Sequence, residues 1–273
     1  ELNAWRESIG NKILGFVPTM GALHQGHLSL VSASQKSTDC TLVSIYVNPT
    51  QFNNASDLEA YPMTLESDQR ALEEMGVDAL YLPVQDELYP NGLQSRSFDF
   101  GALAEFMEGQ GRPGHFEGMA TVVTRFFELI RPQKAFFGEK DFQQLAIIRF
   151  VVRAENWPVE IVGCPTGREA DGLAMSSRNL RLNADERLSA AKIYGIISEV
   201  LKQVDWASAL PSEVKAGLIS RMNAVEHLDV EYIEFSNAST LIPVADFSNV
   251  NETRIFAAVH CGKVRLIDNL PLF

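Results

Sequence analysis

The sequence predicts an α/β protein, a Rossmann-like, doubly wound parallel sheet with a smaller C-terminal α+β domain. Two observations carry this. Over residues 12–162, short apolar runs alternate with helix-length stretches, the pattern of a parallel sheet covered by helices. After Thr166 the texture changes: two helical stretches, 184–204 and 211–225, precede three strand-like runs at 231–235, 254–260 and 264–267. The tight link Cys261-Gly262-Lys263 makes the last two runs an antiparallel hairpin. The expected domains are therefore 1–166 and 167–273.

Taken in order, Ile13, Leu14, Phe16 and Val17 form the first buried strand, ended by Pro18. Gly21 and Gly26 permit close turns, and Leu28, Leu30 and Val31 suit a helix leaving the loop near Gly26. A helix N-terminus at the carboxyl end of a strand binds phosphate through unpaired N–H groups and partial positive charge. His24 and His27, three residues apart, can both face one anion and donate hydrogen bonds as charge develops. The pair also has the form of a metal half-site, but zinc needs at least three protein ligands, and His115, His227 and His260 lie in no obvious ligand cluster. Neither G-x-x-x-x-G-K-[ST] nor G-x-G-x-x-G is present.

Residues 40–47, CTLVSIYV, are the second strand, so Asn48 and Gln51 also follow a strand's carboxyl end. Thr64 caps a helix running to Met75, with Gly76 as its stop. Residues 79–82 form a short strand and 83–97 are irregular. QGRPGH, 110–115, is a loop before a long helix, 116–130. Residues 134–137 form a strand, GEKDFQQL opens the next helix, and 159–162 is a further strand.

Several side chains in these loops suit an anionic substrate. Lys140 is a point charge fitted to β- and γ-phosphates. Asp141 either caps the helix or takes a ribose hydroxyl, and Gln144 lies one turn on. In READGLAMSSRNLR, 168–181, two serines and an arginine are either phosphate donors or a solvated loop. Asn48 and Gln51 offer neutral amides, which recognise hydroxyls and a carboxylate without burying a full charge.

Composition narrows the partners. With 46% apolar and 21% charged residues, the 273-residue chain has the balance of a soluble globular protein. No apolar run approaches the ~18 residues of a membrane helix, and ELNAWRESIG lacks the basic and apolar regions of a signal peptide. Cys40, Cys164 and Cys261 are too few and too scattered for a disulfide framework or metal site. Cys40 and Cys164, each near an apolar run, are expected in the core, and a reducing cytoplasm is the expected compartment. The net charge of −12 disfavours nucleic acid. Between Arg112 and Arg181, however, 10 Lys and Arg stand against 8 Asp and Glu, which fits a small anionic substrate.

HQGH resembles the His-x-Gly-His signature of the nucleotidyltransferase superfamily. The blocks PTMGALHQGH, VNPTQF, RPGHFEGMATVV, FFGEKDFQQL, DGLAMSSRN and the ending RLIDN resemble the pantoate–β-alanine ligase (pantothenate synthetase) family, in its order and over nearly the whole chain. The resemblance implies ATP-dependent condensation of pantoate with β-alanine through a pantoyl adenylate, releasing AMP and pyrophosphate. It implies an ATP site lined by Met20, Gly21, Ala22, Leu23, His24, Gln25, Gly26 and His27, completed by Gly138, Glu139, Lys140, Asp141, Gly167, Met175, Ser176, Ser177 and Arg178. His27, His24 and Lys140 are the expected catalytic groups. Gln51 and Gln144, with Asn48, are expected on the acid substrate, and Gln51 also near β-alanine. The MSSR segment takes the place of a mobile phosphate-closing loop, and the C-terminal domain that of a lid. A homodimer is implied, and Mg²⁺ is expected to enter with ATP, held largely by its phosphates.

Departures from the family pattern are Phe142 in place of Tyr and Gly167 in place of Val. Ser67-Asp68 stands where some members bind magnesium through an acidic pair, which leaves Asp68 as a metal candidate. Two other readings use the same signature: a nucleotidyltransferase making a CDP- or ADP-linked product, and a tRNA-binding synthetase fragment. The acidic charge and the absence of a basic stripe oppose the second.

Overall fold

In β1, Leu14–Thr19, the residues Leu14, Phe16 and Val17 are fully buried, because helices cover both faces of the central strand. The computed structural model describes residues 1–53 and 55–273. Around β1 lie β2 (Cys40–Ile45), β3 (Ala79–Tyr81), β4 (Lys134–Gly138) and β5 (Glu160–Cys164). They form one parallel sheet in the order β3-β2-β1-β4-β5. The order reverses between β1 and β4, so the crevice at the carboxyl ends of these strands is the expected ligand position of the fold.

Gly15 is required by packing. A Cβ there would lie 2.1 Å from Ser34 Oγ on the helix Gln25–Ser37. Close approach lets Val17, Leu30, Val31, Val43, Leu72 and Phe136 close one face of the core. On the long helix His115–Ile130, Phe126 meets Phe16 with ring centroids 5.4 Å apart.

The chain divides into two compact units. The first holds Glu1–Phe100, Arg112–Glu139 and Gln143–Pro165; the second holds Gly101–Gly111, Lys140–Phe142 and Thr166–Phe273. The second unit is built on β6 (Leu228–Asn237), β7 (Thr253–Cys261) and β8 (Val264–Pro271), all antiparallel. The β7–β8 loop is Gly262-Lys263, with Gly262 in the left-handed region at φ +56°. Ile197, Leu218 and Met222 of the helices Lys192–Gln203 and Pro211–Asn223 pack with Phe235, Ile255, Ala257 and Val259 of the sheet.

Three local expectations are modified. Residues 184–204 form two helices, Ala184–Ala190 and Lys192–Gln203; the break is confined to Ala191, whose φ −59° and ψ −24° stay helical. The segment 83–97 contains a one-turn helix, Gln85–Leu88, because Glu87 reaches back to accept the Val84 N–H at 3.1 Å. Lys140 precedes its helix: Glu139–Asp141 is a 3-10 turn, and the helix runs Phe142–Ala154. Among the described residues no helix is long and apolar enough to cross a membrane. The three cysteines are buried free thiols, and burial raises the pKa of each, so none is an activated nucleophile.

Candidate active site

After β1 the chain turns sharply. Thr19 Oγ1 donates to the Ser44 carbonyl at 2.8 Å and accepts the Gly21 N–H at 3.2 Å. Gly21 and Ala22 both have positive φ, +81° and +49°. For alanine that region is disfavoured, so outside contacts must fix it. The Ala22 and Leu23 N–H groups donate to Oδ2 and Oδ1 of Asp68, each at 2.9 Å. The His24 N–H points to His27 Nδ1 at 3.4 Å, and the His27 N–H donates to the His24 carbonyl at 2.8 Å.

The amides of residues 21–24 are thus all directed at the protein. Helix geometry leaves the amides of Gln25 and Gly26 without intrahelical acceptors at the positive end of Gln25–Ser37. The imidazoles of His24 and His27 stack beside them, centroids 4.0 Å apart and planes 29° apart. With Nδ1 of His27 accepting, its neutral ring carries the proton on Nε2, a donor. The arrangement can hold an anion and strengthen its grip as negative charge accumulates.

Asn48 and Gln51 follow β2, on the short turn Pro49–Gln51. Asn48 is only 1% exposed, and both halves of its amide have protein partners. Its Nδ2 donates to Gln51 Oε1 and to the Gly118 carbonyl, each at 3.2 Å. Its Oδ1 accepts from Tyr89 Oη at 2.6 Å and from Thr50 Oγ1 at 3.2 Å. Asn48 therefore stands behind Gln51 and sets its orientation. Burial pushes the Tyr89 phenol pKa up, so it stays a donor.

The Gln51 carbonyl accepts from His115 Nδ1 at 2.7 Å and from Arg112 Nη2 at 3.3 Å, while Arg112 Nη1 meets His115 Nε2 at 3.1 Å. The Gln51 Nε2 donates to Met20 Sδ at 2.8 Å, tying the turn to the histidine loop. Gly118 makes this close contact possible. A Cβ there would lie 2.3 Å from the Thr50 carbonyl oxygen.

The remaining predicted residues fall as follows. Gly138 ends β4, and Glu139 lies beside Cys164, adding to burial in raising its thiol pKa. Gln144 is half-buried in the first turn of Phe142–Ala154. In the second unit, Lys140 Nζ is 3.5 Å from Asp141 Oδ1, and the Lys140 carbonyl accepts from Asn269 Nδ2 at 2.8 Å. Phe142 packs its face under the Arg254 guanidinium, 4.0 Å from the ring centroid.

The serine–arginine segment is ordered by its own contacts. Met175 N–H donates to the Gly167 carbonyl at 2.9 Å. Ser176 Oγ accepts the Arg178 N–H at 3.3 Å and starts the turn Ser177–Arg181, with Ser177 buried. Arg168 anchors the strap before it by gripping Asp268 through both terminal nitrogens, at 2.7 and 2.9 Å.

Sequence reasoning did not single out Tyr89, His115 or Gly118 as supports of the site. His115 and Gly118 lay inside the block RPGHFEGMATVV, but only the fold shows that its helix packs on the Pro49–Gln51 turn. Among the described residues no group of three or more His, Cys, Asp or Glu side chains is placed to hold a metal ion. Asp68, the metal candidate, is 3% exposed and accepts from Ala22, Leu23 and Thr64 Oγ1, the last at 3.1 Å. Its surroundings do not fit a magnesium ligand, which would need oxygens open to the ion and its waters.

The family model of pantoate–β-alanine ligase matches residues 1–271. A pantothenate synthetase of Porphyromonas gingivalis is 45% identical over 259 residues, 95% of this chain and 91% of its own length. The crystal structure of pantothenate synthetase from Thermus thermophilus superposes with a TM-score of 0.91 at 40% identity, covering 100% of this chain and 98% of that one. The pantoate–β-alanine ligase of Francisella tularensis, solved with β-γ ATP and β-alanine, gives a TM-score of 0.84 at 38% identity, covering 99% and 94%. The chain belongs to the pantoate–β-alanine ligase family.

Proposed function

We propose that this chain joins pantoate to β-alanine in an ATP-driven ligation of two steps. The pantoate carboxylate attacks the α-phosphorus of ATP, forming pantoyl adenylate and releasing pyrophosphate. The β-alanine amine then attacks the acyl carbon, forming the amide and releasing AMP. A carboxylate is ionised at neutral pH, so the first step needs alignment and charge stabilisation, not a general base. The observation that carries this reading is the stacked His24–His27 pair at a helix N-terminus, next to a carboxamide fixed by neutral groups.

In this reading His24, His27 and the Gln25 and Gly26 amides take phosphate oxygens. Lys140, Ser176, Ser177 and Arg178 add donors to ATP, and Gly138, Glu139, Asp141 and Gly167 line it. Gln51 and Gln144 hold the pantoate hydroxyls and carboxylate. Asn48 acts through Gln51. Mg²⁺ arrives with ATP and is held by its phosphates. The cytoplasm and a homodimer are the compartment and assembly that go with this reading.

The test is isotope exchange between pyrophosphate and ATP. Pantoate alone should support exchange, with β-alanine absent. Exchange that requires β-alanine would exclude a stable adenylate. Exchange driven by a nucleotidyl acceptor instead of pantoate would move the chain to the other nucleotidyltransferase reading.

A further inference from the structure

We infer that Asp68 is a positioning residue for the phosphate loop, and that it acts through the backbone of Ala22 and Leu23 instead of through a metal ion. The inference rests on the reading that ATP phosphates meet His24 and His27. Asp68 lies on the helix Leu65–Glu74, more than forty residues from the loop in sequence, yet its two carboxylate oxygens take consecutive loop amides at 2.9 Å each. Such a fork holds the direction of a backbone segment as well as its distance.

The segment it holds is strained. Ala22 sits at φ +49°, where an alanine is disfavoured relative to glycine. Immediately before it, Gly21 passes so close to Asp68 that a Cβ would lie 3.2 Å from Oδ2 and 3.1 Å from Ile45 Cγ2. Immediately after it, His24 caps the helix and stacks on His27. The position of both rings therefore depends on a turn that the carboxylate holds. Thr64 Oγ1 completes the set by donating to Oδ1 at 3.1 Å.

The substitution Asp68→Asn separates the two roles. An asparagine offers one oxygen and one NH₂ to two amide donors, so either Ala22 or Leu23 loses its acceptor and faces a donor. ATP binding is measured by calorimetry in EDTA, where no magnesium is present. A positioning role weakens this metal-free binding by about 10-fold, the scale of one lost buried hydrogen bond. It also lowers kcat of pyrophosphate exchange, while the magnesium concentration for half-maximal rate stays put.

A metal ligand would behave oppositely. Metal-free ATP binding would be unchanged or tighter, and excess magnesium would restore the rate. That result overturns the inference. So does a variant with a lowered melting temperature but wild-type ATP affinity and rate per folded molecule. If Asp68→Asn does not fold, Thr64→Val removes only the hydroxyl contact. It should weaken metal-free ATP binding about 3-fold by loosening the carboxylate, and unchanged binding would again overturn the inference. Wild-type protein that binds no ATP would instead count against the functional reading.

Discussion

The two units hold their key segments by different chemistry. In the first, the Gln51 carboxamide is fixed by neutral groups, the Asn48 amide backed by the hydroxyls of Tyr89 and Thr50 and the carbonyl of Gly118, while Arg112 and His115 meet only its backbone carbonyl. In the second, charge does the holding. Arg265 bridges Glu108 and Glu231 with four contacts of 2.6–3.0 Å, and Tyr232 Oη donates to Glu108 at 2.8 Å. Arg168 grips Asp268 in the same bidentate way. A neutral network fixes an amide without imposing a field on a carboxylate substrate. Charged forks bind distant segments strongly, here Gly101–Gly111 to β6 and β8, but only while both partners are present and ionised.

The largest expected effect follows from removing one charge. Arg265→Leu takes from Glu108, 7% exposed, the guanidinium that grips both of its carboxylate oxygens. Breaking a buried pair this way should lower unfolding free energy by about 3 kcal/mol, measured by urea denaturation. The double variant Glu108→Gln with Arg265→Leu should recover much of the loss, because no buried charge is then stranded. A single variant within about 0.5 kcal/mol of the parent, the range of an ordinary surface change, would mean that this network is not the staple of the second unit.

The neutral network should fail differently, through geometry. Gly118→Ala places a methyl group 2.3 Å from the Thr50 carbonyl, a backbone atom that cannot rotate away. The Pro49–Gln51 turn must shift, and a misplacement near 1 Å costs about 10²-fold in rate. kcat/KM for pantoate should fall by that order, with a smaller change in metal-free ATP binding. If both fall equally, the turn belongs to the nucleotide site. If neither falls, Gly118 is not what seats Gln51.

This contrast was only partly legible in the sequence. The parallel sheet was visible because β1 and β2 are continuous apolar runs, a signal set by burial on both faces. The histidine loop was visible because glycines and a following helical pattern mark a strand–turn–helix. Asn48 was read as facing substrate because a strand's carboxyl end marks where a residue emerges, not which way its amide turns. Asp68 was placed by resemblance among metal ligands, since no local pattern reveals hydrogen bonds spanning 45 residues. The forks of Arg265 and Arg168 are longer-range still, spanning 157 and 100 residues. The antiparallel hairpin at Cys261-Gly262-Lys263 was legible because its chemistry is local, although Cys261 belongs to β7 and the loop itself is Gly262-Lys263.

The smallest effect is the pH response, and it separates the units in acid. The Arg265 guanidinium beside Glu231 holds its carboxyl below the usual carboxylate range, and Arg187, at 2.7 Å, does the same for Asp171. A carboxyl with a lowered folded pKa stabilises above its unfolded value, near 4, and that stabilisation is lost as pH falls through the folded value. The loss should be modest, because both groups are partly exposed and solvent screens them. The Asn48, Thr50 and Tyr89 contacts behind the Gln51 carboxamide contain no carboxylate and have no such dependence. Hydrogen exchange at pH 5 and pH 3, corrected for intrinsic rates, should therefore show protection falling in β6, β7 and β8 before β1 and β2. Alkali should not discriminate, because burial raises the phenol pKa of Tyr46 and Tyr81 to about 12 in the first unit and that of Tyr232 in the second. A raised folded pKa stabilises fully below the unfolded value, near 10, and is lost above it, so both units weaken together there. Protection lost first from the parallel sheet in acid would show that charge does not hold the second unit in the way its geometry indicates.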